Sequence, residues 1–107
     1  MEKLLGLIGL AKRAGKISAG EALCSEKIKS RDARLVIIAE DASDNTKKAL
    51  TNSCKYYNVP YVIFASKEQL GTFTGGGFKS AAAVCDRGFA KAICEKLGSS
   101  GKKGQVK

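Results

Sequence analysis

Leu35-Val36-Ile37-Ile38-Ala39 runs straight into Glu40-Asp41-Ala42-Ser43, and the rest of the chain is ordered around this segment. Five apolar residues, β-branched at the centre and without polar alternation, are the pattern of a strand covered on both faces. Ser43 or Asp44 then caps a helix that runs to about Tyr57. Ala49, Leu50 and Cys54 fall on its inner side, and Lys47, Lys48 and Lys55 on its outer side. Asn58-Val59-Pro60 stops it, because proline lacks the amide a helix would need. Tyr61-Val62-Ile63-Phe64-Ala65 reads as a second buried strand. A strand–helix–strand unit therefore sits at the middle of the chain.

Toward the C-terminus, Ser66 caps a short helical turn from Lys67 to Leu70, closed by Gly71. Thr72 to Lys79 reads as a loop containing Gly75, Gly76 and Gly77. Ala81 to Cys85 is a strand of small residues, and Asp86 caps a last helix from Arg87 to Leu97. Toward the N-terminus, Leu4, Leu5, Leu7, Ile8, Leu10 and Ala11 give a helix with a broad apolar face, ended at Ala14-Gly15. Lys16-Ile17-Ser18 is a brief strand or turn. Ser18 or Gly20 caps the next helix, with Ala22, Leu23, Cys24 and Ile28 inward. Alternating strands and helices predict a three-layer α/β/α sandwich around a small mixed sheet. Residues 1–98 are expected to form one domain, and residues 99–107 a disordered basic tail.

The chain has 107 residues, 19 Lys and Arg against 10 Asp and Glu, a net charge of +9 and no histidine. Such a chain is poorly equipped for acid–base catalysis near neutral pH and well equipped to meet a polyanion. Nucleic acid, an anionic membrane or an acidic protein are the partner classes this charge suggests. Four cysteines at positions 24, 54, 85 and 94 match no zinc spacing, so they read as reduced thiols within apolar segments. No metal or cofactor is expected. Neither a signal peptide nor an apolar run of the ~18–20 residues needed to span a bilayer is visible, which points to the cytoplasm and away from membranes. Glu40-Asp41 reads as a capping or loop-anchoring pair, since no second acidic cluster accompanies it to hold magnesium.

The segments AGKISAGE, LVIIAEDAS, VPYVIFASKEQLG and then AAAV, in this order, resemble the ribosomal protein L-seven-Ae family, and within it the small bacterial YlxQ-like branch. The resemblance covers roughly Leu4 to Leu97. It implies an α/β/α sandwich that binds kink-turn RNA, a bent internal loop built on tandem sheared G·A pairs, without being an enzyme. Ser18-Ala19-Gly20-Glu21 stands where the family has its Gly-x-Asn-Glu turn. Glu21 matches the acidic residue that accepts from base amino groups, while Gly20 replaces the asparagine and offers only backbone approach. Lys16 matches a basic position before the turn. The family lysine one helical turn later is Cys24 here, and Lys27 is the nearest cation. Ser43 and Lys47 fall where family members touch an extruded nucleotide, and Lys67 matches a phosphate-contacting position. The loop departs most, with Gly76-Gly77-Phe78 following Gly75 where relatives carry isoleucine or valine; Phe78 offers a ring for stacking. RNA of kink-turn or ribosomal origin, in a ribonucleoprotein serving translation, is the partner the resemblance implies. The alternative is a protein-interaction scaffold in ribosome assembly or translation that turns the same basic face to an acidic partner.

Overall fold

The computed structural model describes the backbone of residues 2–100 and the side chains of residues 3–97. The strand expected at the centre is β2 (Leu35–Ile38), every residue of it buried. It lies between β4 (Ala81–Val84), also buried throughout, and β3 (Tyr61–Ile63). The remaining edge is β1 (Ile17–Ala19), giving the order β1-β4-β2-β3. β2 and β3 are parallel, as a helical crossover requires, whereas β4 is antiparallel to both β2 and β1. The sheet is therefore mixed.

Five helices cover it. α1 (Glu2–Arg13) packs on α4 (Lys67–Thr74) and α5 (Arg87–Ser100), while α2 (Glu21–Lys29) packs on α3 (Asp44–Tyr57). The two groups form the outer layers of an α/β/α sandwich. Ile8, Ile28, Leu50, Leu70, Ile93 and Leu97 reach the core from α1, α2, α3, α4 and α5 against Val36, Ile37, Ile38 and Val62 of the sheet. Full burial of such side chains stabilises by about 1.5–3 kcal/mol each. Among the described residues no helix is long and apolar enough to cross a membrane.

Local sequence explains the helix ends. At the end of α1 the Lys16 amide reaches the Ala11 carbonyl at 2.9 Å and the Gly15 amide the Lys12 carbonyl at 3.0 Å. This is a Schellman closure. Ser43 caps α3 by accepting from the Thr46 amide, and Asn58 ends α3 in the left-handed region at φ 59°. Ser66 and Gln69 form a reciprocal capping box at the start of α4. Asp86 accepts from the Phe89 amide at 2.9 Å, as expected of a cap for α5.

The structure corrects the reading in three places. Gly71 does not close α4, which continues to Thr74 and ends at Gly75. Gly71 is needed for close approach instead: a Cβ there would lie 1.7 Å from the Gly77 carbonyl oxygen. Ala22, Leu23 and Ala49 are exposed, because α2 turns only Cys24 and Ile28 inward and α3 only Leu50 and Cys54. Leu10 likewise faces out of α1. Finally, α5 continues through Ser100 rather than ending at Leu97. Most of the expected tail, 101–107, lies outside the described residues.

Candidate nucleic-acid interface

Parallel strands β2 and β3 end on the same side of the sheet, and the pairings there gather distant parts of the chain. The Ala39 amide bonds the Ser80 carbonyl, the Glu40 amide the Ala65 carbonyl and the Gly20 amide the Ala81 carbonyl, at 2.8, 2.7 and 2.8 Å. Residues 20–21, 39–43, 65–67 and 79–80 therefore meet at one end. α2, α3 and α4 all begin there, each turning its positive N-terminal end toward that rim. Gly20, the N-cap of α2, provides no side-chain acceptor, so no side chain caps those first-turn amides.

Glu21 is fixed from across the rim. Its Oε1 accepts from Thr46 Oγ1 at 3.1 Å. The Ser43 hydroxyl donates to Thr46 Oγ1 at 3.0 Å and accepts from the Thr46 amide at 3.1 Å. One relay thus ties the first turn of α2 to the cap of α3. Lys47 follows one residue later, still in the first turn of α3, and is half-buried. Asp41 anchors the third helix: its Oδ1 accepts from the Lys67 amide at 2.8 Å. This is the loop-anchoring role expected for the Glu40-Asp41 pair.

The loop after α4 folds back along it. The Gly76 amide bonds the Gly71 carbonyl at 2.5 Å, and the Lys79 amide bonds the Lys67 carbonyl at 3.0 Å. Lys67 and Lys79 are thereby neighbours. Gly75, Gly76 and Gly77 take φ of 125°, 106° and 74°, a run that side-chain-bearing residues rarely adopt. Phe78 follows at 73 % exposure, a ring held out at the margin of the rim.

The expected site residues divide into two groups. Gly20, Glu21, Ser43, Lys47 and Lys67 share this end of the sheet, and the Gly75–Phe78 loop runs from the far end of α4 back to it at Lys79. Lys16 does not join them. Its carbonyl accepts from the Cys85 amide, at the opposite end of β1. Four residues of extended chain, about 13 Å, separate it from Gly20. Lys27 lies six residues down α2 from Glu21, about 9 Å, and faces Asp32 at 4.0 Å. Ser18 is in mid-strand opposite Ala83, between the two ends. A motif written as consecutive letters looked like one patch, but β1 is extended and carries its ends apart. Thr46 was missed altogether. Its one local signal was its place three residues after a capping serine, and nothing local could pair it with Glu21, 25 residues away.

Of the cysteines, Cys24 lies beneath the rim, its amide bonding the Gly20 carbonyl at 2.9 Å. Burial pushes the thiols of Cys24 and Cys54 from 9.0 up to about 12. Cys85 and Cys94 are also raised by burial. Protonated thiols are poor nucleophiles and poor metal ligands. Among the described residues no three His, Cys, Asp or Glu side chains are grouped to hold a metal ion.

Comparison with known proteins agrees with this architecture. The family described as "Ribosomal protein L7Ae/L30e/S12e/Gadd45 family" matches residues 2–94. The chain is 43% identical over 91 residues to a protein of Bacillus subtilis (strain 168) named RNA-binding protein YlxQ, covering 85% of this chain and 91% of that one. A protein of the same name from Enterococcus faecium is 40% identical over 96 residues, covering 90% and 92%. Among solved structures, a Bacillus halodurans protein with unknown function superposes with a TM-score of 0.85 at 30% identity, covering 90% of this chain and 97% of that one. The Giardia lamblia 15.5kD RNA binding protein gives 0.75 at 27% identity, covering 90% and 82%. On the extent of the family match and the identity to these relatives, the chain belongs to the ribosomal protein L7Ae/L30e/S12e/Gadd45 family.

Proposed function

We propose that this protein is a non-enzymatic RNA-binding protein that docks the rim at the start of α2, α3 and α4 onto a kink-turn or similarly bent internal loop. The observation that carries the reading is the Thr46–Glu21 hydrogen bond beside the uncapped start of α2. It holds a carboxylate acceptor next to first-turn amides that no side chain caps, with Lys67 and Lys79 brought together by their backbone bond. A carboxylate alone would repel RNA. Fixed among helix N-termini and lysines, it can accept from base amino groups while the cations hold phosphates.

Each part has a role in this docking. The relay sets Glu21 against the sheared pairs, and Gly20 lets the backbone come close. Ser43 and Lys47 border the place of an extruded nucleotide. The three glycines let the loop follow the bend, and Phe78 stacks on an unpaired base. Lys16 and Lys27, at the far end, add to the long-range attraction that a net charge of +9 exerts on RNA. Three relatives are named as RNA-binding proteins, which supports the same reading. Association with a ribosomal or other ribonucleoprotein particle in the cytoplasm follows from it.

A gel-shift series tests this with a hairpin bearing tandem sheared G·A pairs and a straight Watson–Crick duplex of equal length. Preferential retardation of the hairpin, lost in Glu21→Ala, is expected. Equal affinity for both RNAs in the unaltered protein would count against bent-RNA recognition.

A further inference from the structure

On the outer side of the sandwich, α1 and α4 leave a cleft of about 390 Å³ between them, lined by Gly6, Gly9, Lys12, Arg13, Phe73 and Gly75 together with Thr72. Its size falls within the ~300–1,000 Å³ typical of small-ligand sites. The helix interior of α1 contributes no side chain to the floor at Gly6 and Gly9. A Cβ at Gly6 would meet nothing within 4 Å, so the space above it is open. A Cβ at Gly9 would touch Phe73 Cδ1 at 3.5 Å, which places the half-buried Phe73 ring as the facing wall.

The two cations are both exposed and belong to the last turn of α1. The Lys12 stem runs along the start of the glycine loop, its Cε 3.9 Å from where a Gly75 side chain would begin. No lining residue is acidic, and among the described residues neither Lys12 nor Arg13 has a carboxylate within ion-pair distance. An aromatic wall, a floor without side chains and two unopposed cations at the mouth suit a flat ring that carries a phosphate. The cleft opens at Gly75, where the loop that leads to Phe78 and Lys79 begins. That loop joins the cleft, at Gly75, to the rim, where the Lys79 amide bonds the Lys67 carbonyl.

We propose that this cleft is a second contact site for the same RNA, holding one unpaired nucleotide with its base against Phe73 and its phosphate on Lys12 and Arg13. The inference rests on the RNA-binding reading and extends it around the glycine loop to a strand leaving the bend. Base–aromatic stacking tolerates any base, so the site accepts single-stranded RNA without sequence preference.

The test is an amide chemical-shift titration of the full chain with pentauridylate and, separately, with inorganic phosphate, on unaltered protein and on Gly6→Leu. Leucine at this open position fills the cleft, leaves both cations in place and raises helix propensity. Expected are shifts at Gly9, Arg13 and Phe73 with pentauridylate but not with phosphate, lost in Gly6→Leu while those at Glu21 and Lys67 remain. The inference is overturned by the absence of cleft shifts, by equal shifts with phosphate alone, or by shifts that survive in Gly6→Leu. Titrating the sheared-pair hairpin into the same samples separates the two levels. A hairpin that still binds through the rim, with a silent cleft, leaves the proposed function standing and removes only the second site.

Discussion

Thr46 Oγ1 donates a 3.1 Å hydrogen bond to Glu21 Oε1 and so couples the N-termini of two helices that are 25 residues apart in sequence. Helix ends of like polarity repel one another's partial charges, and a carboxylate between them relieves that repulsion. The same carboxylate retains a second oxygen for a partner. The bond thus fixes the carboxylate without using up its acceptor capacity.

Removing the carboxylate is expected to weaken discrimination between bent and straight RNA. Glu21→Ala is expected to cost about 1–3 kcal/mol on a sheared-pair hairpin and little on straight duplex. Thr46→Val, which keeps shape and loses the hydroxyl, is expected to give a smaller loss of the same kind. Isothermal titration of both single variants and the double variant checks this. A double-variant loss smaller than the sum of the singles is the signature of the coupling.

Salt dependence separates the two ends of the sheet. Lys67→Ala and Lys79→Ala are each expected to lower the slope of log affinity against log salt by about 0.7–0.9, uniformly across RNAs. Lys16→Ala and Lys27→Ala, placed across β1 and beside Asp32, are expected to leave that slope nearly unchanged. Filter binding over a range of potassium concentrations measures all four.

Gly71→Ala is expected to destabilise the fold despite alanine's higher helix propensity. Its methyl would sit 1.7 Å from the Gly77 carbonyl oxygen, and both partners are backbone-constrained. Such overpacking costs about 1–3 kcal/mol, a fall in melting temperature of roughly 4–8 °C per kcal/mol for a domain of this size. Thermal denaturation followed by circular dichroism measures it.

Alkaline pH is expected to unfold the protein through its buried thiols. Burial raises Cys24 and Cys54 from 9.0 to about 12, so the native state holds their protons more tightly than the unfolded chain. Their contribution to stability is complete below pH 9 and falls away as pH rises from there toward 12. Denaturant midpoints measured at pH 8, 9 and 10 should decline, and the decline should lessen in a Cys54→Ala variant.

Much of the fold was legible because the central strands are read by composition alone: Leu35 to Ile38 is apolar without interruption, and so is covered on both faces. Caps at Ser43, Ser66 and Asp86 are local chemistry and could be read locally. Gly71 misled because a glycine that ends a helix and one that admits a neighbouring chain look identical until the neighbour, Gly77, is in place. Leu23 misled for a related reason. At 46 % exposure it sits on a short helix whose inner face is only Cys24 and Ile28 wide. The site was half legible. Lysines flanking glycines suggest a polyanion surface, but which of them share an end depends on strand register. That register is set by the Ile17–Val84 and Ala19–Ala82 pairings, which no single segment encodes.

The most direct measurement of the central claim is an amide chemical-shift map of the protein titrated with a sheared-pair hairpin at low ionic strength. Saturating shifts are expected at residues 20–23, 43–47 and 66–67, at the starts of α2, α3 and α4, and along the loop at 75–79. Shifts centred instead on Lys16, Lys27 and Arg34 at the other end of the sheet, or none at all, would contradict it.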